Sequence, residues 1–220
     1  ARVLHGGRSV LLEEGAPGRL VLSPTTWINF CIAMAAGAIV GDSKSDLIVG
    51  ASARGTNIGS VFVYTGGTID GGACGAGCQE LQPPTPEPGL YGTDVSTGGN
   101  VGNVAAETLP DLVVAQPTWP TNVTSTAQGR VFIYFGTSNS TLDTVNFIEI
   151  RGVAGEAFGS TAQIIKDIDN DGLDELAISA HSQGGGQGRV YIFRGRSANP
   201  TGTPANANDN WYTSRSGGFV

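Results

Sequence analysis

Charge is scarce in this chain: 14% of its 220 residues are Asp, Glu, Lys or Arg. The 12 basic residues are scattered and outnumbered by 19 acids, for a net charge of −7. Binding nucleic acid needs clustered cations along a phosphate backbone, so that class of partner is excluded and a cation is the fitting guest. Long apolar runs are lacking as well. The longest, Ile28 to Val40, is about 13 residues and is interrupted by Asn29 and Cys31, short of the roughly 20 that a membrane-spanning helix requires. No charged segment followed by an apolar one opens the sequence, so a secretory signal is either removed or lies outside it. There is no G-x-S-x-G elbow, Walker loop or H-E-x-x-H stretch, and no catalytic residue is expected. Histidine is reduced to His5 and His181. His181 follows the strand-like run ELAISA and is expected as an ordinary edge residue, at the far end of that strand from the acidic stretch before it.

Only three cysteines occur. Cys74 and Cys78 sit in the glycine-rich GACGAGCQE, which can bend to join them, so a disulfide and a free pair are both open, while Cys31 falls in an apolar run. Zinc is the weaker alternative because neither histidine is close in sequence. The sequons at Asn122 and Asn139 lie in polar, loop-like stretches and suit glycosylation. Together these features favour an extracellular setting.

Glycine, by contrast, is abundant at 34 residues, and 40% of the chain is hydrophobic. That mixture fits many short strands joined by tight turns around a real core. Self-comparison organises them. GSVFVYTGG at Gly59 recurs as GRVFIYFG at Gly129 and GRVYIFRG at Gly188, each an alternating β-branched and aromatic run between glycines. A second marker, DLIVGAS at Asp46, DLVVAQP at Asp111 and ELAISAH at Glu175, keeps the same period. A third precedes it: NFCIAMAAG, YGTDVSTGG and FGSTAQIIKD. Weaker strand candidates, RLVLSP, NFIEIRG and NWYTSRS, bring each unit to about four strands. Four-stranded sheets repeating at this period are what a β-propeller stacks radially, and no unit has the helical stripe of an α-solenoid. The fold expected is all-β: a β-propeller of four-stranded antiparallel blades, about three complete, with partial blades at both ends. Residues 28–89, 90–152 and 153–215 are the repeats, 1–27 the end of a preceding blade and 216–220 the start of another. Such a ring does not close alone, so further blades are expected from the same polypeptide or another chain.

The aromatic-glycine start FGS, the loop DIDNDGLDE and the strand LAISA resemble the FG-GAP repeat of integrin alpha-subunit propellers and related extracellular proteins. The likeness continues in degraded form through GDSKSDLIVGAS and through YGTDVSTGGN with LPDLVVAQP. It implies a seven-bladed propeller, calcium in the loop between the first two strands of some blades, and a surface that meets protein or glycan ligands. The loop positions that resemble the family's calcium ligands are Asp167, Asp169 and Asp171, then the carbonyl of Leu173, with Gly172 making the turn and Glu175 closing the set where the family commonly has Asp. Asp174 is expected to face solvent or bind neighbouring backbone. An EF-hand would need Glu where Ile178 stands, in a strand. The same register in the first repeat meets Ala38, Val40, Asp42, Ser43 and Asp46, two carboxylates of four. In the second it meets Asn100, Gly102 and Asp111 in a longer loop that also holds Glu107. One Ca2+ per chain, in the third repeat, is the expectation.

Recognition by propellers falls to loops between strands. QPTWPTNVTSTAQG carries Trp119 between prolines, placed either for sugar stacking or a protein contact, or to cover the neighbouring blade. The loop from Thr65 to Gly89 is long and proline-rich. The reading that results is a non-catalytic, calcium-stabilised extracellular binding, adhesion or assembly module. An accessory domain of a secreted hydrolase, or a structural subunit of a surface filament or matrix, is the alternative.

Overall fold

Runs such as Ser60–Tyr64 alternate β-branched and aromatic side chains, which pack well on a pleated surface, and in the computed structural model they are strands. The structure describes residues 2–4, 19–22, 29–41, 43–68, 74, 77–101, 109–121, 126–195 and 205–206. Strands β1 (Arg2–Leu4) and β2 (Arg19–Val21) form an antiparallel pair. Four strands, β3 (Phe30–Gly37), β4 (Asp46–Ala51), β5 (Ser60–Tyr64) and β6 (Cys78–Leu81), make an antiparallel meander. The next sheet repeats it with β7 (Val95–Ser96), β8 (Leu112–Gln116), β9 (Arg130–Tyr134) and β10 (Phe147–Arg151). A third contains β11 (Phe158–Ile165), β12 (Glu175–Ala180) and β13 (Arg189–Phe193).

The described part is therefore all-β, mostly antiparallel, in sheets of three and four strands. Among the described residues the last sheet has three strands where the repeat leads one to expect four. The short β14 (Ala205–Asn206) pairs in parallel with β10 instead, using the backbone groups that an edge strand leaves open. The candidate strand NWYTSRS lies outside the described residues, and no helix among those described is long and apolar enough to cross a membrane.

One backbone turn opens each unit. Asn29, Leu90 and Ala157 have φ of 55°, 61° and 50°, and the residue two places on is again left-handed: Cys31 at 70°, Gly92 at 83° and Gly159 at 87°. Phe30, Tyr91 and Phe158 lie between. Cys31 thus occupies a position where the other units use glycine, the residue that adopts such φ without strain. Between sheets the contact is backbone on backbone. A Cβ at Gly59 would sit 2.0 Å from Tyr91 O, and one at Gly129 would sit 2.1 Å from Phe158 O. Beside these glycines Tyr91 N–H donates to Ile58 O at 2.9 Å and Phe158 N–H to Gln128 O at 3.2 Å.

These approaches stack the sheets face to face over two cores. Ile48, Val61, Val63, Tyr91, Leu112, Val114, Phe132 and Tyr134 fill the space between the β3–β6 and β7–β10 sheets. Val113, Ala115, Val131, Ile133, Phe158, Leu176, Ile178 and Phe193 fill the next. β5, β8 and β9 are buried along their whole length: the middle sheet is covered on both sides, and Val49, Ala51, Phe62 and Tyr64 on the other face of the first sheet pack with Leu22 in a third core. The outermost faces differ. Val190 is 60% exposed although its counterparts Val61 and Val131 are at 0%, and Met34 is 53% exposed although Val95 and Ala162 are at 3% and 0%.

Gly188 has the same left-handed φ as Gly129, 77° against 76°, but a Cβ there meets only His181 atoms at 3.6 and 3.8 Å. We expect Gly188→Ala to cost this chain only the conformational strain, about 1–2 kcal/mol. Gly59→Ala and Gly129→Ala should cost about 4 kcal/mol or more, because each forces two sheets apart. Urea unfolding of the three variants distinguishes positional strain from inter-sheet contact; equal losses at all three would refute it.

Candidate metal centre

Each second strand begins on a buried acid, Asp46 or Glu175, or directly after one, Asp111. A carboxylate removed from water needs donors for its oxygens. Asp46 finds them: Oδ2 accepts from Ile39 N–H at 2.8 Å and Val40 N–H at 2.9 Å, and Oδ1 from Gly66 N–H at 2.9 Å. Asp111 repeats the arrangement, accepting from Val101 N–H at 2.9 Å and Gly136 N–H at 3.3 Å. In both units the carboxylate ties the loop before the strand to the glycine after the third strand.

Glu175 departs from this pattern. Its Oε2 accepts from Ile168 N–H at 2.7 Å, but Oε1 is buried without a hydrogen-bond partner. Burial, and then the nearby Asp169, Asp171 and Asp167, push its pKa above the usual carboxylate value. Carboxylate oxygens of Asp167, Asp169 and Glu175 lie within 4.8 Å of one another. Three hard oxygens converging from one loop, one of them on a buried side chain lacking a donor, form a ligand set suited to a hard cation.

The loop holds its acids in place through its own backbone. Asp167 Oδ1 accepts from Asp171 N–H at 2.9 Å and Oδ2 from Gly172 N–H at 3.0 Å. Asp171 Oδ1 accepts from Leu173 N–H at 3.0 Å, so this acid is placed to shape the turn and is not one of the three that converge. Gly172 takes a φ of 90° and Asn170 one of 60°. Charge is partly balanced by Arg194, whose Nε is 2.9 Å from Asp169 Oδ2. Sequence reasoning did not single out Arg194; it directly follows β13, in the same unit as the loop, and that was the available signal. Asp174 is turned to neighbouring backbone rather than to solvent.

The other expected sites separate from this one. Trp119 and His181 follow the ends of β8 and β12, whereas the acidic loop precedes β12, so both lie at the opposite end of the sheets. Trp119 is half-buried, its ring under the guanidinium carbons of Arg130 and Arg151 at 4.5 and 5.0 Å. Its Nε1–H donates to Glu87 at 2.6 Å. Arg130 is itself buried and bonded to Gln116, Thr85 and Glu149. His181 Nδ1 meets Ser160 Oγ, whose hydrogen goes to Ala157 O at 2.7 Å. Cys74 and Cys78 are joined as a disulfide and Cys31 is free. Asn139 is exposed; Asn122, Asp42, Gly102 and Glu107 lie outside the described residues.

The sheet β11–β13 coincides with a family match, since the FG-GAP repeat model aligns with residues 158–193. The chain carries an integrin-like FG-GAP repeat. Over 90 residues it is 38% identical to integrin alpha-4 of Xenopus laevis, which covers 40% of this chain and 8% of that protein. The chain thus spans under a tenth of that relative's length. Within the FG-GAP repeat, the aromatic-glycine pair opens β11, the acidic loop joins β11 to β12, and Phe193 closes both the match and β13.

Glu175→Gln keeps an oxygen for Ile168 N–H while removing a buried charge. In chelator we expect the variant to be about 1–2 kcal/mol more stable than the parent and to lose any gain from added cation. Thermal unfolding with and without chelator tests both; a variant less stable in chelator would contradict the assignment of Glu175 as an uncompensated acid.

Proposed function

We propose that this chain is a calcium-stabilised extracellular module for binding or adhesion, a run of FG-GAP units within a larger propeller, with no catalysis of its own. The observation that carries the metal reading is the buried Glu175 Oε1 beside Asp167 and Asp169, an oxygen that no hydrogen-bond donor among the described residues reaches. Asp167, Asp169 and Glu175 would supply carboxylate oxygens and Leu173 its carbonyl; Asp171, bonded to Leu173 N–H, would join them only by giving up that bond. Bound calcium would supply the positive charge that these acids lack and would stabilise the folded form by mass action. The residues of this chain do the rest: Gly172 and Asn170 turn the loop, and the Asp167 oxygens hold the N–H groups of Asp171 and Gly172. Asp46 and Asp111 already have their donors, which supports a single cation for the three units.

The exposed Val190 and Met34, at positions buried in the internal junctions, support further units of the same polypeptide or another chain packing on both outer faces. On this reading each repeat, 28–89, 90–152 and 153–215, is one blade, with 1–27 and 216–220 belonging to the neighbours. The integrin likeness supports a cell-surface or secreted setting, with protein or glycan ligands. Recognition then falls to the strand ends remote from the metal, where Trp119 and the proline-rich segment before Tyr91 lie together. Asn139, exposed at the metal end, is open to a glycan.

Calorimetric titration of the chelated chain with CaCl2, together with its thermal midpoint, tests this. One site per chain and a rise in midpoint are expected, both lost in Asp169→Ala. Arg194→Gln should bind calcium more tightly, on the order of tenfold, because Asp169 no longer carries a competing cation. Absence of heat and of any shift would leave Arg194 as the resident counter-charge of a metal-free loop.

A further inference from the structure

Asp174 stands between two proposed ligands, Leu173 and Glu175, yet two of its bonds lead out of the loop. Its Oδ2 accepts from Asn100 N–H at 2.8 Å, and its own N–H donates to Asn100 O at 3.3 Å. Asn100 belongs to the preceding unit, so one residue of the metal loop grips both backbone groups of one residue across the sheet-to-sheet junction. Asp174 Oδ1 also accepts from Asp167 N–H at 3.3 Å, and Lys166 Nζ lies 3.0 Å from Oδ2. The approach is close: a Cβ on Gly99 would sit 2.5 Å from Asp174 Oδ2 and 2.5 Å from Ile164 Cγ2. On its far side the gripped segment is held by Asp111, whose N–H donates to Gly99 O at 2.8 Å and whose Oδ2 accepts from Val101 N–H at 2.9 Å. A continuous set of bonds runs from the acidic loop through Asp174 and Asn100 to the buried acid of the middle sheet. The units before Asp46 and Asp111 have Ser45 and Pro110 at this place, and proline there has no N–H to give.

We infer that Asp174 is a positioning residue that couples cation binding in the third unit to docking of the third sheet on the second. The inference rests on the calcium reading above. Fixing Leu173 and Glu175 on a cation fixes Asp174 between them, and with it the orientation of Asn100; conversely, the docked Asn100 holds the loop in its binding form. Such coupling is reciprocal, so the factor by which calcium tightens the junction equals the factor by which the junction tightens calcium.

The test uses the whole chain, with calorimetric titration of CaCl2 and hydrogen exchange of backbone amides with and without calcium. In the parent, calcium should slow exchange at Asn100 N–H by about tenfold or more, along with the local reporter Gly172 N–H. Asp174→Ala should still bind calcium and protect Gly172, bind more weakly by about tenfold, and lose the calcium effect at Asn100. Gly99→Ala, which blocks the approach from the middle sheet and leaves every loop residue unsubstituted, should decouple the two in the same way and serves if Asp174→Ala folds poorly. Calcium binding that leaves Asn100 unaffected in the parent, or protection of Asn100 that survives in both variants, would overturn the inference. A parent that gives no heat with CaCl2 fails the calcium reading itself, and this proposal with it.

Discussion

A carboxylate buried at the start of each second strand is the constraint on which the rest of the architecture depends. Removed from water, Asp46 and Asp111 are stable only because backbone N–H groups from the preceding loop and from the glycine after the third strand converge on them. Each acid therefore sets the path of its loop, the end of its third strand and the depth at which its sheet begins. Glu175 holds the same position one methylene longer. The extra reach leaves Oε1 without a donor, and the loop before it carries the acids that surround that oxygen.

The second constraint is the approach of neighbouring sheets at glycine. Gly59 and Gly129 let the backbone of the next unit's aromatic residue come closer than any side chain would permit. Tyr91 and Phe158 then fall into the cores, and each core is shared by two sheets. No sheet here buries its apolar surface alone, so the units depend on their neighbours for stability. Side chains reinforce the junction: Asp94 and Ser96, flanking and within β7, accept from the edge amides of Ala162 and Ile164 at 2.8 and 3.1 Å.

Antiparallel meanders also divide the labour between the two ends of the strands. Loops between first and second strands, and between third and fourth, emerge together, bringing the acidic loop near Arg194 and the loop before Asp46 near Gly66. The disulfide Cys74–Cys78 and Asn139 belong to this end. Trp119, Glu87 and His181 emerge at the other, where side chains are more varied and the backbone is turned by proline. The acidic loop and Trp119 are thus separated by the length of a strand.

Much of this was legible in the sequence because it is local. The period-2 runs at Ser60, Arg130 and Arg189 announce strands, their recurrence announces stacked units, and Asp167-x-Asp169-x-Asp171-Gly172 announces a turn built on carboxylates. Cys31 hid the first unit's opening turn, since a left-handed backbone is not visible in a residue other than glycine. Trp119, conspicuous between prolines, proved to be engaged by Arg130 and Arg151, which are respectively 11 and 32 residues away in sequence. What the sequence determined by itself was therefore the strands, the repeat and the composition of the acidic loop, all consequences of neighbouring residues and backbone periodicity. Only the tertiary structure decided which buried acid is left without a donor, that Arg194 faces Asp169, and that Asp174 holds Asn100, because each of those facts depends on where separate sheets bring atoms together.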